Sequence, residues 1–114
     1  MLARNAPTTS APPEMGKQSF AMRQQNKESE KVLERKLVRH IAELGGWCIK
    51  LPAQHITGLP DRLCLMPGGV AFFVEVKTTG EKPRKIQTLI HQRLRGLGFK
   101  VLVIDKSIQI KEIV

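Results

Sequence analysis

The sequence predicts a mixed α/β fold, a sheet flanked by helices in the order α-β-β-β-α-β. Three observations carry this. Two segments repeat their apolar residues at three- and four-residue steps, the helical period. Four short runs rich in Val, Ile, Leu and Phe, bounded by Gly and Pro, read as strands. Between two of those runs stands Pro67-Gly68-Gly69, a tight-turn signal. With 114 residues there is room for one domain.

The first 27 residues differ from the rest. They carry Pro7, Pro12 and Pro13, several Ser, Thr and Gln, and few large apolar groups, so they cannot bury enough surface to offset their ordering entropy. A flexible basic arm, 1–27, and a folded domain, 28–114, are expected. From Ser29 to Leu44 the residues Leu33, Leu37, Ile41 and Leu44 form one apolar stripe of a helix, ended by Gly45-Gly46. Trp47–Leu51 reads as a strand and the stretch to Leu59 as a loop. A second strand, Asp61–Met66, follows Pro60, which suits a strand start because it cannot donate to the ladder. Val70–Lys77 is apolar on both faces, as a central strand should be. A second helix starts near Pro83, with Ile86, Leu89, Ile90, Leu94 and Leu97 as its stripe, and Phe99–Ile104 is a fourth strand. The segment Ile108–Val114 is ambiguous between strand and helix; its apolar residues could pair across a dimer axis or enter the core.

Lys plus Arg total 19 against 10 acids, a formal net charge of +9. A charge of this sign and size points to an anionic partner, nucleic acid being the commonest. No apolar run approaches the length of a membrane span, and the first residues lack the apolar core of a secretory signal. Cys48 and Cys64 are too few for a disulfide framework and have no metal-ligand spacing, so a reducing, cytoplasmic setting is expected. Aromatic residues make up only 4%, which argues against a base-stacking platform.

The candidate chemistry sits on the hairpin. If Pro67-Gly68-Gly69 is a three-residue loop, Met66 faces Val70 and Asp61 faces Glu75. Opposed residues share a side of the sheet with Cβ atoms roughly 5 Å apart, and Lys77, two residues on, shares it too. A two-residue turn would instead put Asp61 opposite Val76, on the other face. In the first register two carboxylates and an ammonium form one patch. Adjacent carboxylates repel, and a divalent cation resolves the repulsion. An all-oxygen donor set favours Mg²⁺ or Mn²⁺ over Zn²⁺. The alternative is a salt bridge at a strand end. Lys82, Arg84 and Lys85 cluster at the start of the second helix, where cations and a helix N-terminus suit phosphate or form an ordinary solvated charge run.

Gly58-Leu59-Pro60-Asp61-Arg62, the Val74-Glu75-Val76-Lys77 strand, and Gln87 followed by His91, Leu94 and Gly98 resemble the VRR-NUC domain of the PD-(D/E)XK nuclease superfamily. The likeness runs from about Glu30 to Asp105. It implies a restriction-endonuclease-like core and Mg²⁺- or Mn²⁺-dependent hydrolysis of DNA phosphodiesters. It also implies a preference for branched DNA such as Holliday junctions, and action as a homodimer. By the same resemblance Asp61 and Glu75 are metal-binding acids, with the Val76 carbonyl beside them, Lys77 is the catalytic lysine, and Gln87 serves the attacking water. The family's first-helix glutamate is Glu30 or Glu34. Helix geometry favours Glu30, in the middle of the apolar stripe. Lys50 resembles a lysine found at this place in the stand-alone members and could hold a scissile or neighbouring phosphate, against the plain reading of a snorkelling strand lysine. His91, expected to be partly exposed, could contact a phosphate, as could Gln54 and His55. The competing function is a non-catalytic basic nucleic-acid-binding module, and a weaker one is a structural protein with a basic surface.

Overall fold

The computed structural model describes residues 27–52 and 54–114. Apart from Lys27, the expected N-terminal arm lies outside the described residues. Helix α1 (Glu30–Glu43) begins at Ser29, whose hydroxyl accepts from the Val32 amide, and Leu33, Leu37 and Ile41 are its buried stripe. Strand β1 (Trp47–Lys50) follows. The turn between them is tight because residue 46 has no side chain: a Cβ there would lie 2.6 Å from the Leu65 carbonyl oxygen.

Strands β2 (Arg62–Met66) and β3 (Val70–Val76) form an antiparallel hairpin in which Met66 pairs with Val70 and Arg62 with Val74. This is the register of the three-residue loop. Helix α2 (Lys85–Gly96) then carries the chain to β4 (Lys100–Ile104), which runs parallel to β3. A parallel pair needs such a crossover, and α2 supplies it. The sheet order is β1-β2-β3-β4. The chain then closes with a short helix, α3 (Ser107–Lys111).

The two faces of the sheet are chemically different. One packs Cys48, Cys64, Phe72, Val74, Val76 and Ile104 against the α1 stripe, and Ile110 and Ile113 complete this apolar core. Those two isoleucines are therefore not available for a dimer axis; of that segment's apolar residues only Ile108 and Val114 are exposed. Cys48 and Cys64 are both buried free thiols. The other face carries Phe73 and Glu75, and α2 covers it. Phe99, just beyond α2, meets Phe73 edge-on with ring centroids 5.8 Å apart.

Helix α2 corrects the expected stripe. Its fully buried residues are Gln87 and His91, while Ile86, Leu89 and Leu97 are exposed. The helix turns a polar edge inward because the sheet presents a buried carboxylate, Glu75, which needs hydrogen-bond donors more than methyl groups.

The loop after β3 is fastened from both ends of the chain. Thr79 exchanges backbone and hydroxyl bonds with Glu28, and its hydroxyl donates to the Asp105 carbonyl at 2.7 Å. The Asp105 carboxylate accepts from the Gly80 amide at 3.0 Å, so the second of the two aspartates is structural. Glu28 also takes the Lys36 ammonium at 2.6 Å and the Ser107 amide and hydroxyl. These donors hold its carboxyl down at about 2.

Candidate active site

Asp61 enters the site by backbone logic. Its carbonyl accepts from the Leu51 amide at 2.8 Å, extending the β1–β2 ladder by one step. Its carboxylate Oδ2 accepts from the Val76 amide at 2.9 Å, a donor that β2 no longer reaches. One residue beyond the Arg62–Val74 pair, the register sets Asp61 opposite Glu75. Gly58 makes this approach possible. It sits at φ +91°, and a Cβ there would lie 2.8 Å from the Ile86 carbonyl oxygen. The loop that delivers Asp61 thus rests directly on the first turn of α2.

Glu75 is the centre of the cluster, with 1% of its surface exposed. Three side chains converge on it. Gln87 Nε2 donates to Oε2 at 3.0 Å. Lys77 Nζ stands 3.6 Å from the same oxygen. His91 Nε2 lies 3.6 Å from Oε1. That last separation is too long for a hydrogen bond, and both atoms are buried without a partner. Burial first, and the Asp61 charge second, push the Glu75 carboxyl up to about 7. Burial also lowers the His91 imidazole, helped by Arg95 and Lys77. His91 is 2% exposed and faces Glu75. The expectation of a partly exposed histidine is therefore corrected: the ring is buried against Glu75 instead of turned to solvent, where a phosphate contact would need it.

Gln87 does two jobs with one amide. Its Oε1 accepts from the Arg84 amide at 2.8 Å, closing the N-terminal turn of α2, and this turns Nε2 towards Glu75. At the first helix the two candidate acids part company. Glu34 is engaged by Arg62 Nε at 3.0 Å and Lys50 Nζ at 3.3 Å. Glu30 has its carboxyl raised by burial and then by Asp61, so it shares the field of the candidate site. Lys50, Lys82, Arg84 and Lys85 are exposed, as are Gln54 and His55. Sequence reasoning overlooked Arg62, whose neighbour Asp61 drew the attention. Its signal was the side-chain alternation, which puts Arg62 on the α1 face beside Glu34.

The donor set suits a hard divalent cation. Asp61, Glu75 and Glu30 each offer oxygen, the Asp61 charge helps to raise the carboxyls of both Glu75 and Glu30, and Glu75 Oε1 is a buried acceptor with nothing to accept from. Among the described residues no three His, Cys, Asp or Glu side chains form a closed cage. An ion that keeps several waters, as Mg²⁺ does, fits such an open set.

No family profile matches the chain. A solved structure described as "VRR_NUC domain" superposes with a TM-score of 0.70 at 31% identity, covering 75% of this chain and 94% of that one. A curated relative, "Putative nuclease p44" of Acyrthosiphon pisum secondary endosymbiont phage 1, is 41% identical over 75 residues, 66% of this chain and 81% of its own length. The chain belongs to the VRR-NUC nuclease family. Its VRR-NUC core is the mixed four-stranded sheet with flanking helices already described. No helix among the described residues is long and apolar enough to cross a membrane.

Proposed function

We propose that this VRR-NUC chain is a metal-dependent endonuclease that hydrolyses DNA phosphodiester bonds. The observation that carries the reading is the convergence of Asp61, Glu75 and Lys77, with one buried oxygen of Glu75 left without a partner. Asp61 and Glu75 would hold Mg²⁺ or Mn²⁺, with Glu30 and the Val76 carbonyl nearest to complete the set. When bound, such an ion lowers the pKa of water and offsets charge on the phosphodiester. The chain's own residues do the rest. Gln87 fixes the rotamer of Glu75 through Oε2. Lys77, partly buried, brings its ammonium to within 3.6 Å of the same carboxylate oxygen. There it can orient the attacking water, assist its deprotonation, or counter the charge of the pentavalent phosphorus centre. Lys82, Arg84 and Lys85 at the start of α2 would hold the DNA backbone.

The finer reading is selectivity for branched DNA, including four-way junctions, by a homodimer. A C2 pair places two sites symmetrically on two strands, and a core this small covers little of a junction by itself. Light scattering of the purified protein should give twice the chain mass; a monomer at working concentration would remove the paired-cut reading and leave the nuclease intact.

The decisive assay is cleavage of branched and linear DNA with Mg²⁺ or Mn²⁺. Asp61→Asn is preferred to alanine because the amide oxygen can still accept from Val76. Asp61→Asn and Lys77→Ala are each expected to cut at least ~100-fold more slowly while binding DNA normally. Variants that bind normally and cut at the wild-type rate would overturn the proposal.

A further inference from the structure

One flank of α1 is closed and the other is open. On the closed flank Lys36 donates to Ser107 Oγ at 2.8 Å and His40 Nε2 to the Ile113 carbonyl at 2.7 Å, so α3 covers it. The open flank borders β1 and forms a groove along Lys31, Arg35 and Arg39 of α1 with Lys50 and Arg62 of the sheet. Five cations line it against a single acid, Glu34. That acid is already engaged by Arg62 and Lys50. Lys31, Arg35 and Arg39 are exposed, and among the described residues none pairs with a carboxylate.

The spacing of these three is regular. They stand four residues apart, so each step advances about 6 Å along the helix and the row spans about 12 Å. Duplex DNA carries one charge per ~3.4 Å of axis on each strand, so the row covers several phosphates. No aromatic side chain lines the groove, so it offers charge without a stacking surface. It also begins beside the candidate site. Lys31 follows Glu30, and Arg62 follows Asp61, pointing to the opposite face of the sheet from it.

We infer that this groove is a track for the phosphate backbone of a duplex arm flanking the scissile phosphate. The inference rests on the nuclease reading for its substrate, but not on cleavage for its test. Lys31, Arg35 and Arg39 supply uniform attraction without base readout, on the far side of the catalytic carboxylates from the Lys82–Lys85 cluster. DNA would then be held on both sides of the bond to be cut.

The test is binding of a fluorescent duplex in the presence of EDTA, followed by anisotropy across a salt series. Arg35→Gln/Arg39→Gln is compared with Lys100→Gln/Lys111→Gln, which removes the same charge from exposed residues at the start of β4 and the end of α3. The groove variant is expected to flatten the slope of log K against log salt by about 2 and to weaken binding at least ~10-fold at 0.15 M salt. The control variant should change neither by more than about a third of that. An unchanged slope, or an equal loss in the control, overturns the track. Loss of cleavage in wild type with the groove effect intact would overturn the nuclease reading alone. All four residues are exposed, and a urea melt matching wild type checks that the variants are folded.

Discussion

Glu75 shows how one residue can be expensive to fold and useful to keep. Its carboxyl is buried beside Asp61, and its pKa rises from 4.5 to about 7. Between those values the native state binds more protons than the unfolded chain. Stability contributed through this group is therefore highest below about pH 4.5, falls as pH rises towards about 7, and is level beyond. The full shift corresponds to roughly 3 kcal/mol. His91 slopes the other way, since its lowered imidazole favours the native state at higher pH. Comparison with Glu75→Gln isolates the acid. In urea unfolding of the metal-free protein, Glu75→Gln is expected to be more stable than wild type near pH 8, with the advantage fading towards pH 5. A variant less stable than wild type at both would show that the carboxylate is not under this strain. Much of this residue-scale picture was legible early: Asp61 opposite Glu75 follows from the loop length and the period of a strand. The inward turn of His91 was not. A histidine four residues after Gln87 announces a shared face, but which face is buried depends on what the sheet offers it.

At the scale of elements the same lesson separates the hairpin from α2. Pro67-Gly68-Gly69 and the two apolar runs set the pairing of β2 and β3 by local rules, and the register came out as those rules require. The stripe of α2 was drawn from apolar positions, which assumes an apolar partner. Its partner surface contains Glu75, so the helix rotated its polar edge inward and left Ile86, Leu89 and Leu97 exposed. The C-terminal segment was ambiguous because five helical residues are too few to show a period. The contact of Gly58 with α2 joins the Asp61 loop to the helix that holds Glu75. Gly58 and Gly80 have nearly the same positive φ, 91° and 90°, but a Cβ at Gly80 meets nothing. Alanine at either position is strained, and only at Gly58 does it also strike backbone. Gly58→Ala is expected to cost about 2 kcal/mol more than Gly80→Ala, measured by urea unfolding. Equal costs would mean that the loop and helix are not in firm contact.

For the whole molecule, one sheet is divided into an apolar side and a polar side. α1, α3 and four strands build a core on one side with no charge in it. The other side is left free to bury Glu75, Gln87 and His91. Apart from Lys77, exposed positive charge lies outside both, including the outer flank of α1 and the start of α2.

The parallel pairing of β3 with β4 also orders events in time. The β2–β3 hairpin closes through a three-residue loop, whereas β4 must wait for all of α2 to cross over. Loop closure favours the short connection first. At that stage Asp61 and Glu75 already face each other, but in water, where their repulsion is weak. Only when α2 docks does Glu75 lose its solvent and gain Gln87. Burial of the strained carboxylate thus belongs to the last step of folding. Pulse-labelled hydrogen exchange during refolding is expected to find β2 and β3 amides protected before those of β4 and α2; simultaneous protection would count against this order. A nascent copy of the chain would then hold its acids in line while still unable to act, and competence would arrive with the closing strand.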